Sequence, residues 1–112
     1  MNTAELARTL NAARVCAPEV DREVAGAYTS DLLSDAMANA PENGVLVTIQ
    51  AHKNTVAVAT LRDLAAIVIC NNRPIPDDMI EAARSEGIAI LQTAEDQFAV
   101  SGRLYPLLRA GS

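Results

Sequence analysis

The sequence predicts an α/β domain of three layers, α/β/α, around a mainly parallel sheet. Three observations lead there. "VLVTIQ" (45–50), "AAIVIC" (65–70) and "IAILQT" (88–93) are continuous apolar runs of strand length. Strands that read apolar on both faces are buried on both faces, as in parallel sheets covered by helices. Segments of helical period separate the runs, which is the alternation of β-α-β units. The core must also be filled without large rings: among 112 residues there is no Trp, one Phe and two Tyr, while half the chain is apolar. Val, Ile, Leu and Ala in such proportion suit a sheet under closely packed helices.

The elements follow in order. Residues 3–10 place Leu6 and Leu10 four apart around Ala7, a short amphipathic helix for which Thr3 is a possible N-cap. "ARVCA" (13–17) is a strand stopped by Pro18. "REVAGAYT" (22–29) reads as a second, weaker strand interrupted at Gly26. In "SDLLSDAMANA" the period becomes helical, with Leu32, Leu33, Ala36, Met37 and Ala40 on one side, Ser30 available as cap and Asp31 at the positive helix start. "PENG" (41–44) ends it.

After the strand 45–50, "NTVAVATLRD" (54–63) is assigned to a helix capped by Asn54, although Val56, Val58 and Thr60 alternate as in a strand. Two buried parallel strands require a crossover between them, and this segment is what lies between. "PDDMIEAARSEG" (76–87) has Pro76 and two Asp residues at its start, Arg84 late and Gly87 at the stop. Residues 96–105 form a last helix, disturbed by Gly102 and Pro106. The whole is read as one domain, 1–112, with an N-terminal helix in 1–12 and the core in 13–108.

Composition excludes several functions. The net charge is −5, and the nine basic residues are scattered singly, so no stripe gathers phosphates and nucleic-acid binding is disfavoured. Cys16 and Cys70 lie far apart without a CxxC partner, and His52 is the only histidine. Neither a zinc set nor iron–sulfur ligands can be assembled, so no metal and no cofactor are expected. The N-terminal residues lack a basic n-region and an apolar h-region, and no run reaches membrane length; a cytoplasmic protein is expected.

Three turns carry polar residues where strands end and helices begin. In a parallel sheet such ends share the crevice where ligands sit. "QAHKN" supplies Gln50, His52 and Asn54, beside a helix start whose N–H groups suit an anion; histidine would make binding pH-sensitive. The same residues also suit a plain polar turn in which Asn54 caps and His52 points to water. "TSDLLSD" supplies Thr29, Ser30, Asp31, Ser34 and Asp35, able to meet a cation or a hydroxylated ligand, or simply to be a solvated helix face. "NNRPIPDD" offers Arg73 to a phosphate or carboxylate, or is an ordinary loop.

"GAYTSDLLSDAMANA", "VLVTIQAHKNTVAVATLRDLAAIVICNNRPIPDDMIEAARSEGIAIL" and "FAVSGRLYPLL" together resemble the DRTGG-domain family. The resemblance runs from about residue 13 to 108, although the naming string is absent and "AYTSD" stands near its place. It implies a fold similar to the N-terminal domains of HPr kinase/phosphorylase and of Mur ligases. It also implies a regulatory or accessory module, of the kind found beside CBS domains, with small members tied to hydrogenase, redox or phosphotransfer systems. No GxxxxGK[ST] loop is present, so a kinase activity has no phosphate cradle here. The expected function is a non-catalytic module binding a small, anionic ligand or a protein partner. The alternative is a small enzyme using His52 with Asp31 or Asp35 as acid and base. The apolar residues after Thr55 and in 104–108 exceed what so small a domain hides easily, which points to a homodimer.

Overall fold

The computed structural model describes residues 1–108. Five strands and five helices follow one another, alternating from β2 onward: α1 (Thr3–Thr9), β1 (Ala13–Cys16), β2 (Ala27–Thr29), α2 (Leu33–Asn39), β3 (Val45–Thr48), α3 (Lys53–Leu61), β4 (Ala66–Ile69), α4 (Asp77–Glu86), β5 (Ala89–Gln92) and α5 (Gln97–Leu108). They build one sheet of order β1-β5-β4-β3-β2. β2, β3, β4 and β5 are parallel, with Val45 opposite Ala66 and Ala66 opposite Ala89; only β1 is antiparallel, on the far edge against β5, with an irregularity between Arg14 and Cys16.

Each β-α-β unit from β2 to β5 steps one strand in the same direction, so α2, α3 and α4 share a face. That face buries Leu46, Ile67, Ile69 and Ile90 under Ala36, Val56, Ala59, Met79 and Ala83. The alternate strand residues Val45, Val47, Val68 and Leu91 turn the other way, under Leu6 of α1, Leu10 at its C-cap, and Val100 and Leu104 of α5. Every residue of β3 and β4 is buried, as the continuous apolar runs required. The "VAVAT" segment is helical, and Val56, Val58 and Ala59 lie buried.

Several local expectations are corrected. Asn2, not Thr3, caps α1 and forms a reciprocal capping box with Glu5; Thr3 is buried, its hydroxyl on Asp21. β2 is only three residues long, because Val24 donates to the Met1 carbonyl and Glu23 bridges to Asn2, drawing residues 22–25 off the sheet toward the N-terminus. Leu32, not Ser30, occupies the cap position of α2. His52, not Asn54, occupies that of α3, and Asn54 sits inside the first turn. The last helix runs on through Pro106 to Leu108. A proline in the final turn costs one backbone bond, and packing of Leu108 against the core offsets it.

Candidate functional site

The four parallel strands bring their C-terminal ends to one edge of the sheet, and Asp31 ties that edge together. Its Oδ1 accepts from the Thr48 hydroxyl (2.9 Å), from the Ile49 N–H (2.9 Å) and from the Gln97 amide (3.0 Å). Its backbone carbonyl accepts from the Gln50 amide at 3.1 Å. One residue thus fastens the end of β2 to the end of β3 and to the first turn of α5. Charge-assisted bonds of this kind are stronger than neutral ones and hold the edge in a single arrangement.

The "TSDLL" and "QAHKN" turns therefore lie side by side. Thr29 ends β2, exposed, its hydroxyl 2.7 Å from that of Ser101 on α5. The Ser30 hydroxyl accepts from the Leu32 N–H, a small local turn. Beyond Gln50, the Gln50 carbonyl receives the Thr55 hydroxyl at 2.7 Å, which fixes the start of α3. His52, Lys53 and Asn54 are all exposed there, and His52 makes no capping bond through its side chain. The first turn of α3 thus offers its N–H dipoles beside a lysine and a histidine, with no side chain filling the position where a cap would sit.

Two candidates fall outside this grouping. Ser34 is exposed within α2, and Arg73 is exposed in the loop after β4, where its carbonyl receives the Gln92 amide at 2.8 Å. Asp35 is engaged: the Tyr28 hydroxyl donates to it at 2.8 Å and the Asn39 amide at 3.0 Å. The Tyr28 bond foremost holds the Asp35 carboxyl below the usual carboxylate range, and the same bond raises the Tyr28 phenol.

Thr48, Gln97 and Ser101 were not singled out from the sequence. Thr48 carried a faint signal, the one polar residue inside a buried strand; Gln97 and Ser101 carried none. Beyond them, Asn71 and Asn72 adopt positive φ (60° and 51°) and donate their N–H groups to the carbonyls of Glu95 and Thr93, binding the β4 loop to the β5–α5 loop. Beneath lies buried Cys70. Burial, and then the carboxylates of Asp31, Asp96 and Glu95, push its thiol up to about 11, which keeps it protonated and unreactive near neutral pH. Among the described residues no group of three His, Cys, Asp or Glu side chains could hold a metal ion, and no helix is long and apolar enough to cross a membrane.

The model of the DRTGG domain matches residues 5–106 of this sequence. Among solved structures, the chain resembles the CBS and DRTGG domains of the regulatory region of Clostridium perfringens pyrophosphatase, crystallised with the activator diadenosine tetraphosphate. The TM-score is 0.77 at 16% identity, over 94% of this chain and 46% of that one. The likeness is one of fold, and this chain spans less than half of the region it resembles. No curated protein matches the sequence.

Proposed function

Because this chain belongs to the DRTGG-domain family, we propose that it is a non-catalytic regulatory module that binds a small phosphorylated anion at the strand ends beside the start of α3. The observation that carries this reading is the Asp31 junction, which sets the "TSDLL" and "QAHKN" turns against each other and leaves His52, Lys53 and Asn54 exposed at an uncapped helix start. The dipole of that turn and the Lys53 ammonium favour negative charge. The similar pyrophosphatase region takes a dinucleoside polyphosphate as its activator, and a polyphosphate is the class of anion such a corner suits. Thr29, Ser30, Asp31 and Gln50 shape the corner in this reading, while Arg73 stands one strand further along.

A place in a hydrogenase, redox or phosphotransfer system is the finer part of the proposal and follows from the kinds of small proteins this one resembles. Acid–base catalysis by His52 with Asp31 or Asp35 gains nothing from the arrangement, since Asp31 accepts three donors on one oxygen and Asp35 is held by Tyr28 and Asn39. The test is a thermal-shift series with diadenosine tetraphosphate, ATP and inorganic phosphate, because a ligand of the folded state must raise the midpoint. A rise with the polyphosphates that is lost in Lys53→Ala and His52→Ala is expected. No rise with any of the three at millimolar concentration would remove the proposal.

A further inference from the structure

Strand β2 ends the sheet, and among the described residues it has no second strand neighbour. The Ser30 N–H donates to the Val47 carbonyl (3.1 Å), and the Val45 N–H to the Gly26 carbonyl (2.9 Å). Even-numbered residues therefore face β3, and the N–H and C=O groups of Ala27 and Thr29 face outward. Beside this edge, a groove of about 460 Å³ runs between β2 and α5, lined by Ala27, Thr29, Ser101, Leu104, Tyr105 and Leu108.

None of these lining residues is charged, in a chain where 21% of residues are. Phe98, Ser101, Tyr105 and Leu108 recur at helical spacing along α5, which makes one stripe of them. Phe98 is 88% exposed, Tyr105 68% and Leu107 51%. Of the apolar residues that the sequence suggested as surplus, Val56, Val58, Ala59 and Leu104 are buried, while Leu61 of α3 and Tyr105 and Leu107 of α5 are exposed.

We propose that this edge and groove are covered by a second copy of the same chain, β2 pairing antiparallel with β2 across a two-fold axis through Tyr28. Three features select that occupant. The outward residues 27 and 29 are symmetric about 28, so Ala27 meets Thr29 of the second copy and every outward backbone group of the strand is used, four N–H···O=C bonds in all. The axis puts both α5 helices on the same face, each closing the open side of the other's groove. A second chain of charge −5 is repelled by most of this surface, and a charge-free strip is where two such chains can touch. Large aromatic side chains bury about 150–250 Å² each, so Phe98 and Tyr105 supply on the order of 300 Å² per protomer toward the roughly 800 Å² of a standard interface. The edge strands and flanking helices supply the rest.

The register makes a sharp test possible. The two Tyr28 residues form the non-hydrogen-bonded pair on the axis, with Cα atoms about 4.5 Å apart, within disulfide reach. Tyr28→Cys under mild oxidation is expected to give a covalent dimer on a non-reducing gel, while Cys16 and Cys70 stay buried and free. Sedimentation of the wild-type chain at tens of micromolar should give twice the 11.8 kDa mass. Ala27→Pro removes an outward N–H without touching the β2–β3 ladder, and Tyr105→Glu places a charge in the groove; both should sediment as folded monomers. A monomeric wild-type chain overturns the proposal, whether or not an unrelated extended peptide binds the edge. A dimer that survives both variants, or one in which Tyr28→Cys fails to cross-link, overturns it too. Should either variant lose its native circular dichroism, the Tyr28→Cys cross-link alone decides.

Discussion

The two ends of the sheet are built by opposite rules. At the N-terminal end of β3 and β4, side chains are spent on backbone. The Arg22 guanidinium donates to the carbonyls of Leu64 (3.0 Å) and Asp63 (3.2 Å), to the Asp63 carboxylate (3.1 Å) and to the Asn43 side chain. Arg62 closes the end of α2 with two bonds to the Ala40 carbonyl. At the C-terminal end, Asp31 does the fastening from below, while His52, Lys53, Asn54 and Arg73 stand exposed above it. A closed end contributes stability; an open end on a fixed base leaves groups available for binding. Substitutions at the first should therefore cost folding, and substitutions of the exposed groups at the second should not.

The largest effect is expected at Gly44. A Cβ there would stand 2.7 Å from the Pro41 carbonyl oxygen and 2.8 Å from the Pro41 ring, in a tight turn whose carbonyl is already fixed by the Gly44 N–H. Gly44→Ala should lose about 3 kcal/mol in urea unfolding, the upper end of overpacking costs. Next comes the base of the open end. Asp31→Ala strands the Thr48 hydroxyl, the Ile49 N–H and the Gln97 amide, and should cost about 2 kcal/mol. A cost as small as that of the exposed groups around it would show that Asp31 is part of the open surface and not its support.

Arg22→Ala sharpens the contrast from the closed end, with about 1–2 kcal/mol expected from the carbonyls it leaves unpaired. Its neighbour Asp21 gives a pH dependence. Burial pushes that carboxyl up, but the Thr3 hydroxyl and the N–H groups of Ala4, Thr3 and Arg22 outweigh it and hold it below its ordinary value. A folded-state value below the unfolded one means a contribution fully present above the unfolded value and lost as pH falls through the folded one. The stability gap between wild type and Asp21→Asn should be full at pH 7 and close as acid is added below about pH 4. Because the group is partly solvated, the gap should stay under about 1 kcal/mol. A gap that widens in acid would reverse the assignment.

How much of this was legible in the sequence follows from how far apart the interacting residues are. The three central strands, the crossover helices and the stop at Gly87, whose φ is +69°, depend on patterns a few residues long and could be read directly. The Asn2–Glu5 capping box, three residues apart, was as legible as these, and the choice of Thr3 passed over it. The long-range ties could not be read: Asp21 reaches α1 from 17 and 18 residues away, and Gln97 reaches Asp31 across 66. The shortening of β2 is of the same kind, since it turns on Val24 and Glu23 meeting the first two residues of the chain. Of the candidate site, the pairing of the two turns was foreseeable from strands that had to be neighbours, whereas the Asp31 junction depended on a side chain's choice among distant donors.

The smallest effect is the one that separates the two readings of "QAHKN". An N-capping asparagine replaced by alanine loses about 0.5–2 kcal/mol. Asn54, however, lies past the cap position, exposed within the first turn of α3, and the start of that helix is fixed instead by Thr55 on the Gln50 carbonyl. Alanine has the higher helix propensity at such a position. Asn54→Ala should therefore leave stability within about 0.5 kcal/mol of wild type, or raise it slightly, as exposed substitutions do. Thr55→Val, which removes the buried hydroxyl and leaves the Gln50 carbonyl without it, should cost about 1 kcal/mol. If urea midpoints fall for Asn54→Ala and hold for Thr55→Val, the turn is a capped connector and the exposed corner above Asp31 loses its claim to a ligand.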